Sequence, residues 1–156
     1  MGHDGASALH WAAGLRGNLK IVKLLIARGA DINLQGKGKG GYNVLSTPLH
    51  QAVSYSRVDI VKFLLSQPAC DPTLLDHNQE SPLHYVMTQN EGLTDMSKAR
   101  EILSLLLAHP RVDPNGGTDA GAHYTPLQKA CYKGEVWAVQ ILLAQEGIQL
   151  GARRSI

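Results

Sequence analysis

Three histidines stand in near-identical surroundings, His10 after Ser7-Ala-Leu, His50 after Thr47-Pro-Leu and His84 after Ser81-Pro-Leu, and a recurring imidazole is the first place to look for metal chemistry. A zinc ion needs its ligands about 2 Å away, whereas equivalent residues on successive packed helices stand about 8–10 Å apart. The three rings therefore cannot share one ion. Their expected task is structural, each imidazole bonding its own Ser or Thr hydroxyl and a backbone group of the following unit. Gly36, Gly38 and Gly41 spell G-x-G-x-x-G, but that loop cradles a pyrophosphate only between a strand and a helix that opens at once. Here a helical pattern ends before it and the next begins at Thr47, so no cofactor is expected. Cys70 and Cys131 have no CxxC pairing and no adjacent base to make a reactive thiolate, so both are read as structural. Neither G-x-S-x-G nor H-E-x-x-H occurs, and no carboxylate pair lies in a credible pocket. Catalysis has no support, and the chain is read as not an enzyme.

The elements that place these residues repeat four times. Ser7-Ala-Leu-His10, Thr47-Pro-Leu-His50, Ser81-Pro-Leu-His84 and Thr125-Pro-Leu-Gln128 begin 40, 34 and 44 residues apart. Each is a helix start: the hydroxyl caps free N–H groups, and Pro at the first helical position gives up no hydrogen bond. A small or apolar pair follows (Ala12-Ala13, Ala52-Val53, Val86-Met87, Ala130-Cys131), and then a second apolar block at 21–25, 60–65, 102–107 and 139–143. Apolar residues around most of a helix's circumference suit a helix sandwiched between neighbours. Gly29 ends the first such helix, Pro68 and Pro110 stop the next two, and Thr94 or Asp95 is placed to cap the third.

This unit resembles the ankyrin repeat, whose threonine-proline-leucine-histidine signature and period near 33 residues it follows along essentially the whole chain. The resemblance implies an all-α solenoid of stacked helix-turn-helix units with projecting hairpin loops. It gives a single domain, 1–156, with repeats at approximately 3–35, 43–75, 77–115 and 121–156. The long first spacing makes 35–46 an enlarged finger, and 88–97 is an insertion between the helices of repeat three. Neither end carries a specialised polar cap, from which a segment of a longer polypeptide is expected.

Composition narrows the function further. With 44% apolar and 18% charged residues the chain reads as globular, and its net charge of +2, scattered along the sequence, is not the footprint of nucleic-acid binding. The longest apolar runs, such as 102–108, fall far short of the roughly 20 residues that span a bilayer. No signal peptide opens the chain and no Asn-x-Ser/Thr occurs. A cytoplasmic or nuclear monomer is expected.

Carried over position by position, the ligand face of an ankyrin array runs along the hairpin tips and the first helices. The resemblance thus assigns partner binding to Trp11, Leu15, Arg16, Tyr42, Tyr55, His77, Asn78, Glu80, Tyr85, Gln89, Tyr124, Tyr132 and Lys133. Aromatic anchors with Arg at the rim are what protein hot spots use. Trp11 and Tyr85 have an equal claim to packing between repeats. Tyr55, Tyr124 and Tyr132 are the sharper candidates. Asn33 and Asn115 occupy the asparagine position of the family's hairpin, where a bridging role in the turn competes with hydroxylation. The expected role is a protein-protein interaction module binding a protein or peptide in its concave groove. The alternative is a regulatory or substrate-recruiting segment of a larger enzyme or ion channel, since the string 9–13 is similar to strings in palmitoyltransferases and the enlarged finger resembles those of cation channels.

Overall fold

A computed structural model describes residues 7–36, 45–88, 95–116 and 124–151. Each Ser or Thr of the repeated string is the N-cap of a short first helix: α1 (Ala8–Ala13), α3 (Pro48–Ser54), α5 (Pro82–Tyr85) and α7 (Pro126–Lys133). A turn leads to the second helix of each unit: α2 (Leu19–Ala27), α4 (Val58–Leu65), α6 (Met96–Leu107) and α8 (Val136–Leu143). α5 is only four residues long and runs on as a 3-10 turn, Val86–Thr88. Asp95 caps α6, accepting the Ser97 N–H at 3.0 Å, so that helix starts inside the stretch 88–97 and is longer than its equivalents.

The small residues after each histidine explain the close stacking. Ala12, Ala13, Ala52, Val53 and Ala130 are buried between first helices, and Leu9, Leu49, Leu83 and Leu127 point into the same layer. Val22, Ile60, Val61, Leu64, Ile102, Leu103, Leu106 and Leu142 fill the layer beneath from the second helices, making one continuous core. Gly29 takes a left-handed φ of 87° where α2 ends, a conformation that glycine enters without a side-chain clash.

The histidines tie unit to unit. In repeat two the His50 Nδ1 accepts the Thr47 N–H (3.1 Å) and pairs with the Thr47 hydroxyl (2.8 Å). A ring nitrogen that accepts an amide proton carries none, so the proton sits on Nε2 and is donated to the Glu80 carbonyl at 3.0 Å. His10 makes the same set with Ser7 and the Ser46 carbonyl, and His84 with Ser81 and the Tyr124 carbonyl. Burial holds all three imidazoles below their ordinary pKa, His50 at about 4. Among the described residues no group of His, Cys, Asp and Glu is arranged to hold a metal ion.

The finger 35–46 closes at its base, where the Gly36 N–H donates to the Ser46 carbonyl at 3.0 Å and the Gln35 amide reaches the Leu45 and Leu75 carbonyls. The rest of that finger, with Tyr42, lies outside the described residues, as does Gln89.

Candidate protein-binding surface

Three groups of exposed side chains follow from this stacking. At the end of the first helix of repeat one, Leu15 and Arg16 are exposed, and Tyr55 from repeat two lies beside them. The Tyr55 ring lies close against Gly14: a methyl group there would stand 3.1 Å from it and oblige the ring to give by a few tenths of an ångström. Arg57 fastens the same place from below, its guanidinium donating to the carbonyls of Gly14 (3.1 Å) and Leu15 (3.0 Å). Tyr55 remains 37% exposed.

The second group is the fingertip before repeat three. Asp76 is buried and accepts the N–H groups of Asn78 (2.8 Å) and Glu80 (2.9 Å), which folds 76–80 into a tight turn and leaves His77 and Asn78 exposed at its apex. Its second oxygen accepts the Tyr85 hydroxyl at 2.7 Å. Glu80 is half-buried and ion-paired with Lys129, whose own pKa is lowered because burial outweighs the help of its partner.

The third group belongs to repeat four. Tyr124, 44% exposed, precedes the cap of α7, and Tyr132, 72% exposed, lies near that helix's end. Their rings stack with centroids 5.5 Å apart and planes 13° from parallel, with exposed Lys133 alongside.

Two assignments made from position are corrected. Tyr85 is 5% exposed: burial, the bond to Asp76 and an edge-on contact with His50 at 4.9 Å commit it to the interior, and its phenol is pushed far above the ordinary range. The same holds for every described residue after a Thr/Ser-Pro-Leu-x string: Gln51 donates to the Ser46 hydroxyl at 2.9 Å, and Lys129 reaches Glu80. That position faces the finger folded beneath it, not a ligand. Trp11, its counterpart in repeat one, is half-buried and has a contact of its own. Cys131 is exposed, unlike Ala13, Val53 and Met87 at the same place, because among the described residues no further first helix lies against α7. Cys70 is buried, which raises its thiol to about 11 and makes it unreactive at neutral pH.

Neither Asp76 nor Arg57 was singled out by the sequence.

A family model for ankyrin repeats in three copies matches residues 49–154, and one for ankyrin repeats in many copies matches 9–65. The chain belongs to the ankyrin-repeat family. Among similar proteins, palmitoyltransferase AKR1 of Lachancea kluyveri is 34% identical over 140 residues, covering 90% of this chain and 17% of that protein. Transient receptor potential cation channel subfamily V member 1 of Canis lupus familiaris is 30% identical over 161 residues, covering 92% of this chain and 19% of the channel. The human subfamily A member 1 channel is 36% identical over 98 residues, covering 63% of this chain and 8% of the channel. The chain thus spans under a fifth of the length of each of these relatives. An ankyrin array is a protein-interaction module. Among the described residues no helix is long and apolar enough to cross a membrane.

Proposed function

We propose that the array holds a protein or peptide partner across its first helices and fingertips, with aromatic anchors at Tyr55 and at the Tyr124–Tyr132 pair. The observation that carries this reading is the stacked pair itself. The core draws Tyr85 and Trp137 almost wholly inside, yet two tyrosines of repeat four are stacked on each other in the open. Stacking holds both rings in one orientation, so little side-chain entropy is left to lose when a partner covers them. Arg16 and Lys133 supply the charged rim, and His77 and Asn78 give polar contacts from a turn that Asp76 has already ordered. Tyr42, Gln89, Trp11 and Glu80 belong to the same surface in this reading, as secondary contacts.

The experiment is an affinity capture from cell lysate with the chain and with Tyr55→Ala, Tyr124→Ala and Tyr132→Ala combined. Hot-spot aromatics cost about 2 kcal/mol or more each on truncation, so a groove-bound partner should be lost while the thermal melt stays unchanged. Recovery of the same proteins by both baits removes this surface from consideration.

A second reading concerns where the module is mounted. The match to a palmitoyltransferase and to cation channels over most of this chain favours an array that recruits substrates or regulates a larger enzyme or channel from the cytoplasmic side. Such a mounting uses the same anchors.

A further inference from the structure

At the base of the fingers the chain makes one short turn three times, over 31–33, 71–73 and 113–115. In each, Asp Oδ1 accepts the N–H two residues on: Asp31 from Asn33 (2.9 Å), Asp71 from Thr73 (3.0 Å) and Asp113 from Asn115 (2.8 Å). Two of these turns then send a carboxamide into the next repeat. Asn33 donates through Nδ2 to the Ala69 carbonyl (2.7 Å) and accepts the Asp71 N–H on Oδ1 (2.8 Å). Asn115 does the same with the Gly147 carbonyl (3.0 Å) and the Gln149 N–H (2.8 Å). A primary carboxamide is thus clamped between a carbonyl and an N–H two residues later, at two junctions of the array.

Counting from the ends of α4, α6 and α8 puts Arg111 level with Ala69 and Gly147, and Asp113 level with Asp71 and Gln149. The clamp of repeat three is therefore the Arg111 carbonyl and the Asp113 N–H. The residue that should fill it is Thr73, whose hydroxyl turns back onto its own Asp71 Oδ1 at 2.6 Å. Neither clamp group has a hydrogen-bond partner among the described residues. The junction is held instead from the side, by Arg111 Nη2 on Asp71 Oδ2 (2.8 Å) and Nη1 on the Cys70 carbonyl (3.4 Å). Between the two turns lies a cavity of about 210 Å³ bordered by Pro72, Thr73, Leu75, Val112, Asp113 and Gly116.

We propose that this cavity is a binding site for a primary carboxamide, the side chain of a Gln or Asn of a partner, seated between the Arg111 carbonyl and the Asp113 N–H. A primary carboxamide, acceptor and donor side by side, satisfies both groups at once, as Asn33 and Asn115 do at the equivalent junctions. A carboxylate brings no donor for the carbonyl, and the Arg111 guanidinium that also borders the cavity is already ion-paired with Asp71; an ammonium brings no acceptor for the N–H. Pro72, Leu75 and Val112 provide apolar wall for the methylene stem. The space is several times a water's share of the liquid, about 30 Å³, so a short side chain fits. The site stands apart from the tyrosine anchors, and does not depend on them.

The test is to titrate the isotope-labelled 156-residue chain with butyramide, and with butyrate and N,N-dimethylbutyramide as controls, reading amide shifts. Butyramide should give saturable shifts at the Asp113 and Gly116 N–H groups, with half-saturation in the millimolar range and at least tenfold tighter than either control. Thr73→Asn supplies the missing carboxamide from within: it should protect the Asp113 amide from hydrogen exchange and abolish the butyramide response. Thr73→Ala leaves the clamp open and should keep the response. Shifts that never saturate, shifts equal for all three compounds, or an unaltered response in Thr73→Asn would each overturn the proposal. So would a Thr73→Asn chain whose Asp113 amide gains no protection, since the equivalence of the three clamps would then be false.

Discussion

His50→Gln separates the structural work of the imidazole from its titration. The ring is fully buried, and its Nδ1 accepts the Thr47 N–H, so a proton placed there would face a donor. Burial, opposed by the Glu80 carbonyl and by Asp76, lowers its pKa from 6.5 to about 4. Because the folded value lies below the unfolded one, the unfolded chain binds the extra proton first. The stability this ring contributes is complete above about pH 6.5 and is lost as pH falls towards 4. Two and a half pH units at about 1.4 kcal/mol each give a loss of about 3 kcal/mol from this residue alone. Glutamine is already used by the fold for the same cap: the Gln128 Oε1 accepts the Thr125 N–H at 2.9 Å, and the Gln128 N–H donates to the Thr125 hydroxyl at 3.2 Å. The variant should keep the cap, strand the Glu80 carbonyl at a cost of about 1–2 kcal/mol at pH 7, and lack the acid penalty. Urea denaturation followed by circular dichroism, from pH 7 to 4.5, should therefore show two stability curves that converge as pH falls and cross before pH 4.5, with unchanged m-values. Carboxylates titrating in the same range affect both proteins and drop out of the difference. A difference that stays constant across that range would refute the assignment of a neutral, desolvated His50.

Two further outcomes follow from the same structure. Asn33→Ala, which breaks a clamp between interior repeats, should lower the global unfolding free energy by about 1–3 kcal/mol, whereas Asn115→Ala should appear chiefly as faster hydrogen exchange at the Gln149 amide; equal effects on both measurements would contradict the cross-repeat geometry. Lys129 is buried and Glu80 is partly exposed, so the charge that suffers from losing its partner is the ammonium. Glu80→Gln should cost roughly 2–3 kcal/mol and Lys129→Met should be near neutral; the reverse order in denaturant midpoints would show that the pair is held for the sake of Glu80.

Local chemistry was the readable part of the sequence. Ser or Thr followed by Pro places a helix start to the residue, and the recurring histidine allows only one economical set of partners, so both the helix order and the cross-repeat bonds of His10, His50 and His84 match expectation. What could not be read is where a finger folds. Tyr85 and Lys129 lie on a helix face that would meet solvent in an isolated hairpin of helices; the fingers pass beneath that face, and Asp76 and Glu80 turn it into interior. The failure at Cys131 has the same origin. A small residue at a stacking position is buried only by the unit stacked on it, which no property of the residue itself reveals.

The cross-repeat bonds also bear on recognition. The carbonyls that receive the histidine Nε2 protons belong to Ser46, Glu80 and Tyr124, the residues immediately before each cap; Ser46 is buried, while Glu80 and Tyr124 belong to the proposed binding surface. Each repeat thereby fixes the backbone just before the cap of the repeat that follows. Tyr124 is pinned through its carbonyl by His84 while its ring is held by Tyr132, and Tyr55 lies close against Gly14. Binding must overcome about 0.5–1.5 kcal/mol for each mobile side chain it immobilises, and a partner at the proposed anchors would find part of that ordering done during folding. On the proposed surface the histidines would contribute to affinity without touching the partner, by the same hydrogen bonds that stack the repeats.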